Sequence, residues 1–83
     1  MNNLARSPLQ IGQLIQKFRK ERGLSQTELA ARAGLRQELI SRIENGQAGA
    51  KLEAICSLLA ALDLEMTIGS RSKSASSDIE DIF

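Results

Sequence analysis

Residues 26 to 45, QTELAARAGLRQELISRIEN, hold four side chains at offsets that few folds accommodate. Counting Gln26 as position one, Ala30 falls at five, Gly34 at nine, and Ile40 and Ile43 at fifteen and eighteen. Two helices that cross steeply must touch, and a small alanine at the crossing lets them approach. The tight turn between them needs a positive φ, which Gly34 adopts without a Cβ clash. Ile40 and Ile43, three apart, lie on one helical face and pin the second helix to a core. Just ahead, Ser25 and Glu28 have the Ser-x-x-Glu spacing of a capping box, which starts the first of the two helices. The window therefore predicts a helix from Ser25 to about Ala33, a turn at Gly34, and a helix from Gln37 to Asn45.

The flanks extend this pair. SPLQIGQLIQKFRKERG reads as a preceding helix, with Ser7 as cap, Pro8 in its first turn and Gly23 beyond its end. Its apolar stripe is Ile11, Leu14, Ile15 and Phe18, joined by Leu24 after the helix. KLEAICSLLAAL predicts a fourth helix that buries Leu52, Ile55, Cys56, Leu59 and Leu62. Residues 1 to 6 carry no pattern and are assigned to a flexible arm, and residues 7 to 69 to the folded domain.

At residues 64 to 68 the period changes. LEMTI alternates, with Leu64, Met66 and Ile68 on one face and Glu65 and Thr67 on the other, as a strand does. A lone strand leaves its backbone unpaired. Pairing with the same strand of a second copy across a two-fold axis resolves this; the alternative is a last helical turn running into coil. Residues 70 to 83 are Ser-rich and charged, with too little apolar content to fold, and are expected to be disordered. Ile79, Ile82 and Phe83 near the end are either a short anchor for a partner or an unconstrained terminus.

Composition narrows the function classes. A chain of 83 residues suits one small domain, which buries about 60 to 65% of its unfolded surface and has no cleft between domains. It contains no His, Trp or Tyr and one Cys, so the commonest general base and the usual metal ligands are missing. No enzyme activity, metal or cofactor is expected. Cys56 reads as a small buried hydrophobe. Nothing resembles a signal peptide or a membrane span, so a cytoplasmic location is expected. Net charge is +1, yet residues 6 to 46 hold eight Lys or Arg against four acids, and the rest three against six. A basic half of this kind is compatible with a polyanionic partner.

Around the helix that starts at Gln37, turning roughly 100° per residue, Leu39, Ile40 and Ile43 share the core side. Gln37, Ser41, Glu38, Asn45 and Arg42 fill a contiguous arc opposite. A rod held from behind and polar in front suits the major groove of double-stranded DNA. There Gln bonds both edge atoms of adenine, Arg forks onto guanine, and a carboxylate accepts from cytosine N4. The candidate base contacts are Gln37, Glu38, Ser41 and Arg42, since residues near the start of such a helix reach the bases. Gln26, at the preceding helix N-terminus, is a phosphate candidate, with Arg36, Lys17 and Arg6 as further ones. Arg19 and Glu44 are placed to form a partly buried ion pair that ties the first helix to the third, unless they are simply two solvated charges.

The segments LSQTELAARAGL and ISRIENG resemble the Cro/C1-type (XRE) helix-turn-helix family of repressors, over about residues 9 to 62. The resemblance implies DNA contacts by Gln26, Gln37, Glu38 and Arg42, and an Arg19–Glu44 pair. Arg36 departs from it, standing where Ser or Thr normally caps the reading helix. SPLQIGQLI and LDLEMTI extend the similarity, now to HipB-type antitoxins, over residues 7 to 68. The fold implied is all-α: a small lambda-repressor-like domain of four helices, plus one C-terminal strand paired across a homodimer. The function implied is a repressor of its own operon at a palindromic operator, acting as an antitoxin that neutralises a HipA-like serine/threonine kinase toxin. A free-standing repressor without a toxin, and an interaction module that does not read DNA, are the competing classes.

Overall fold

The computed structural model describes residues 3–47 and 49–71. Four helices follow one another in this region: α1 (Pro8–Glu21), α2 (Gln26–Ala33), α3 (Gln37–Glu44) and α4 (Leu52–Ala61). Their ends follow the local chemistry. The Ser7 hydroxyl accepts from the Gln10 backbone N–H at 3.2 Å, with Pro8 in the first turn of α1. At α2 the capping box closes in both directions, Glu28 N–H to Ser25 at 3.0 Å and Ser25 N–H to Glu28 at 2.8 Å. Gly34 ends α2 at a φ of 71°, in the left-handed region. Its amide and the next reach back toward the last turn of α2, Leu35 N–H donating to the Ala30 carbonyl at 3.0 Å.

Ile15, Leu24, Leu29, Ala30, Ile40, Ile43, Leu58 and Leu62 form one buried cluster. α3 packs on α1 and on α2, and α4 closes the cluster against α2. The α1–α3 contact is very close. A Cβ at Gly12 would run into the Ile43 carbonyl oxygen and lie 3.0 Å from that of Glu44. Gly12 is thus the position at which α1 and the backbone of α3 touch without side chains between them.

α4 presents a different face from the one its sequence predicts. Ala54, Leu58 and Leu62 are buried, Ile55 and Leu59 half-buried, while Leu52 is 70% exposed and Cys56 lies in solvent. The helix is apolar on nearly all sides, so period alone does not fix its phase, and packing on α2 selects the face centred on Leu58. Cys56, one turn after Leu52, shares the outward stripe; it is an exposed thiol and not a core hydrophobe.

After α4, Asp63 takes a positive φ of 57° and the Leu64 N–H donates to the Leu59 carbonyl at 2.7 Å. Leu64 packs against the core, and the chain then runs to Arg71 without regular secondary structure. The strand expected over Leu64, Glu65, Met66, Thr67 and Ile68 is not formed within the single chain. A ladder needs a second backbone, and none lies beside this segment among the described residues. Residues 3 to 6 are exposed and irregular, the Arg6 N–H donating to the Gln10 side chain at 2.5 Å. Most of the expected disordered tail, including Ile79, Ile82 and Phe83, lies outside the described residues.

A buried ionic contact crosses the fold. Arg19 of α1 donates from Nε to Glu44 Oε2 at 2.7 Å and from Nη2 to Oε1 at 3.0 Å, in the bidentate arrangement that guanidinium and carboxylate favour. Its Nη1 donates to the Leu24 carbonyl at 2.8 Å, so the same group holds the α1–α2 connection. The side chains are 8% and 1% exposed. Burial alone would raise the Glu44 carboxyl. Hydrogen bonds from Arg19, Gln26 and Gln16, with the charge of Arg19, outweigh it and hold the group below its ordinary value.

Gly12→Ala, which forces α1 off α3, should cost about 3 kcal/mol in urea unfolding. Gly34→Ala meets nothing within 4 Å and should cost only the backbone penalty of about 1 to 2 kcal/mol; the opposite ranking would show that α1 is not set by contact with α3. Glu44→Ala strands a buried guanidinium and should cost about 3 to 5 kcal/mol. Because the folded carboxyl titrates below its unfolded value, its contribution is full above the unfolded pKa and is lost as pH falls through the folded one. Acid should therefore weaken the wild type more than Glu44→Gln, and equal loss in both would contradict the pairing.

Candidate nucleic-acid interface

α3 is amphipathic around a narrow polar arc. Ile40 is 0% exposed and Ile43 is buried beside it, with Leu39 half-buried at the margin. Gln37, Glu38, Arg42 and, just past the helix end, Asn45 are exposed, and Ser41 between them is half-buried. Thus the four candidate base-reading side chains lie on one side of one short helix, with three on solvent. Glu38 and Arg42 are four apart, so the arc carries both signs of charge and α3 alone is not a cationic surface. Arg36, at the N-cap with a φ of −83° and a ψ of 146°, makes no side-chain cap bond. Its carbonyl accepts from Leu39 N–H at 3.1 Å and Ile40 N–H at 3.3 Å. α3 therefore starts on schedule without the customary hydroxyl, and the Arg36 side chain is exposed beside the arc.

Gln26 is not the simple surface amide that its sequence position implies. It is half-buried, donates from Nε2 to Glu44 Oε1 at 3.0 Å, and accepts at Oε1 from Gln37 Nε2 at 2.6 Å. The first residue of α2 and the first residue of α3 are thus bonded to each other and, through Glu44, to Arg19. Gln16 of α1 joins the same carboxylate oxygen at 3.4 Å. Neither the Gln26–Gln37 bond nor the role of Gln16 is readable from periodicity. The available signal was only that Gln16 precedes Arg19 by one helical turn.

The weaker phosphate candidates lie apart from this network. Lys17 donates to Asn3 at 3.5 Å and its ammonium sits 5.4 Å from the centre of the Phe18 ring. Arg22 approaches the same ring at 5.4 Å. These contacts engage Lys17 with the arm and with α1. Arg6 is exposed in the arm and tied through its backbone to Gln10. A groove of about 280 Å³ runs beside Phe18, lined by Ile11, Leu14, Leu59, Leu64 and Met66 among others. No helix among the described residues is long and apolar enough to cross a membrane.

Comparison with known proteins places this geometry. A helix-turn-helix family model matches residues 15–68. The antitoxin HipB of Escherichia coli O6:H1 (strain CFT073) is 34% identical over 62 residues, covering 75% of this chain and 66% of that protein. Among solved structures, HipB in a HipA–HipB–O2–O3 complex superposes with a TM-score of 0.78 at 30% identity, over 86% of this chain and 100% of that one. SinR, the master regulator for biofilm formation, in complex with DNA, gives a TM-score of 0.61 at 39% identity, over 66% of this chain and 89% of that one. With Gly34 turning α2 into an α3 whose back is buried and whose front is polar, the chain belongs to the XRE-type helix-turn-helix family and is HipB-like within it.

Proposed function

We propose that the chain is a sequence-specific DNA-binding repressor that serves as the antitoxin of a toxin–antitoxin pair. The observation that carries this reading is the polar arc of α3, open to solvent while Ile40 and Ile43 anchor the opposite side. In this reading Gln37, Glu38, Ser41 and Arg42 meet base edges. Gln26 uses its second amide proton on a phosphate, and Arg36 supplies a further phosphate contact. Lys17 and Arg6 contribute only if the arm follows the backbone. Glu38 is repelled by phosphates, so it sharpens choice and does not add affinity. The likeness to HipB, and to HipB in a complex with HipA, supports a HipA-like kinase as the protein partner that the antitoxin neutralises.

The dimer belongs to the same reading. Met66 is 48% and Ile68 97% exposed, which leaves two large apolar side chains of one alternating segment in water. A second copy pairing its own residues 64–68 covers them and supplies the missing ladder. A two-fold axis then sets two α3 helices about 34 Å apart, one turn of DNA, over a palindromic operator.

Mobility shifts with the chain's own promoter, repeated at several salt concentrations, test the central claim; a shift no stronger than with random DNA would leave only a protein-interaction role. Arg42→Ala should lose about 1 to 3 kcal/mol at the operator and relax choice at one base pair; equal losses on operator and random DNA would remove Arg42 from the reading set. Sedimentation should find a dimer at micromolar concentration, and Met66→Pro, which deletes a ladder donor, should give a helical monomer. Dimerisation unchanged by that proline would place the interface elsewhere.

A further inference from the structure

We propose that Lys20 of α1 holds a DNA phosphate beside the start of α2, on the side of the domain that carries the polar arc of α3. The inference rests on the reading of α3 as a major-groove helix and adds a backbone anchor on the flank of that helix.

Hydrogen bonds identify which side of α1 borders the DNA-reading surface. Gln26 at the start of α2 is bonded to Gln37 at the start of α3 at 2.6 Å, so the two helix starts open on one surface. Gln26 Nε2 and Gln16 Nε2 donate to the same oxygen of Glu44, at 3.0 and 3.4 Å. The Gln16 side of α1 therefore adjoins that surface. Lys20 comes one turn after Gln16, rotated from it by roughly 40° and advanced about 6 Å toward the end of α1. From that end the chain turns at Gly23 directly into α2. Lys20 is exposed, and it stands between Gln16 and the first residue of α2.

A phosphate contact also needs a cation whose protons are not already engaged. Lys17 donates to Asn3 at 3.5 Å and lies 5.4 Å from the centre of the Phe18 ring. Arg19 is buried, with its guanidinium shared between Glu44 and the Leu24 carbonyl. Arg22 donates to the Phe18 carbonyl at 3.3 Å and approaches the same ring at 5.4 Å. Lys20, by contrast, makes no side-chain hydrogen bond, ion pair or ring contact among the described residues. Its ammonium keeps three donors for an acceptor from outside the chain. A lysine in the last turn of a helix also offsets the macrodipole, but any side of that turn serves this purpose, whereas the Gln16 side is the one that adjoins Gln26. A phosphate at the start of α2 meets a repulsive charge as well, because the Glu28 carboxylate is folded back onto the Ser25 N–H at 2.8 Å. A lysine beside the site compensates that charge, and leaves Gln26 to orient the phosphate with its second amide proton.

Phosphate contacts release counterions, so the logarithm of affinity falls against the logarithm of salt with a slope of about 0.9 per contact. Affinities of the chain for its own promoter and for a random duplex of equal length are measured between about 50 and 200 mM salt. Lys20→Ala should reduce the slope by about 0.9 for each bound copy, on both duplexes alike. With two copies bound, its deficit against the wild type should widen about 3.5-fold at each halving of the salt. Lys20→Arg keeps the charge and should keep the slope. Arg22→Ala removes one positive charge from the same end of α1, but from beside Phe18, and should leave the slope near that of the wild type. An equal fall in Arg22→Ala and Lys20→Ala would show a diffuse field with no contact at Lys20, and overturns the proposal. An unchanged slope in Lys20→Ala overturns it too; a lower melting temperature in that variant would then assign the lysine to the end of α1 alone. A wild type that binds neither duplex would instead sink the reading of α3 as a DNA-reading helix.

Discussion

The contact on which the arrangement depends is the buried pair of Arg19 and Glu44. Arg19 sits late in α1 and Glu44 ends α3, so their two hydrogen bonds join elements 25 residues apart in the chain. The remaining arm of the guanidinium holds the Leu24 carbonyl, which fixes where α2 begins. One side chain thereby locates three helix termini relative to one another. Gly12 makes this possible: with no Cβ there, α1 comes down onto the carbonyls of Ile43 and Glu44, and Arg19, seven residues or about two turns later, reaches the carboxylate from the same face.

From that frame the placement of the polar arc of α3 follows almost without further instruction. α3 has eight residues, too few for a helix to be stable on its own propensity, and its N-cap offers no side-chain bond. Tertiary contacts hold it instead: Ile40 and Ile43 from below, Glu44 at its end, and Gln37 at its start through Gln26. A short helix gripped at both ends and along its back has little freedom to roll. That rigidity fixes where the opposed charges of Glu38 and Arg42 stand on the polar arc.

Much of this was legible in the sequence, and the parts that were not have a common cause. The capping box at Ser25, the turn at Gly34, the anchors at Ile40 and Ile43 and the start of α1 at Ser7 are local: each is decided by residues within a few positions. The Arg19–Glu44 pair was open in the sequence, where Glu44 turns toward the core side of α3 and Arg19 comes late in α1; the bidentate contact decides against two solvated charges. The phase of α4 was missed, since Glu53 and Ser57 are the only strongly polar residues of LEAICSLLAA and the choice between Leu52 and Leu58 is made by α2. Cys56 was misplaced with it. The Gln26–Gln37 bond was invisible because it depends on the distance between two helix N-termini, which the Gly34 turn sets in three dimensions and no spacing rule reports. For residues 64–68 the alternation is real, but a ladder requires a second backbone, and the described residues place none beside this segment.

The presence of ionic groups at the centre of so small a core calls for a reason other than stability. Desolvating an arginine and a glutamate costs several kcal/mol per ion in effective terms, and an apolar pair of similar volume often holds a fold equally well or better. An apolar pair would not, however, give Gln26 an acceptor. Leucine and methionine in place of Arg19 and Glu44 would leave the Gln26 amide free to turn, and Gln37 free with it. Hydrophobic contacts are indifferent to the polarity of a neighbouring amide, whereas a carboxylate is not. The ion pair therefore does something that packing cannot: it carries a directional preference from the interior of the domain to its surface, through two glutamines, and delivers it at the first residue of the helix that faces outward.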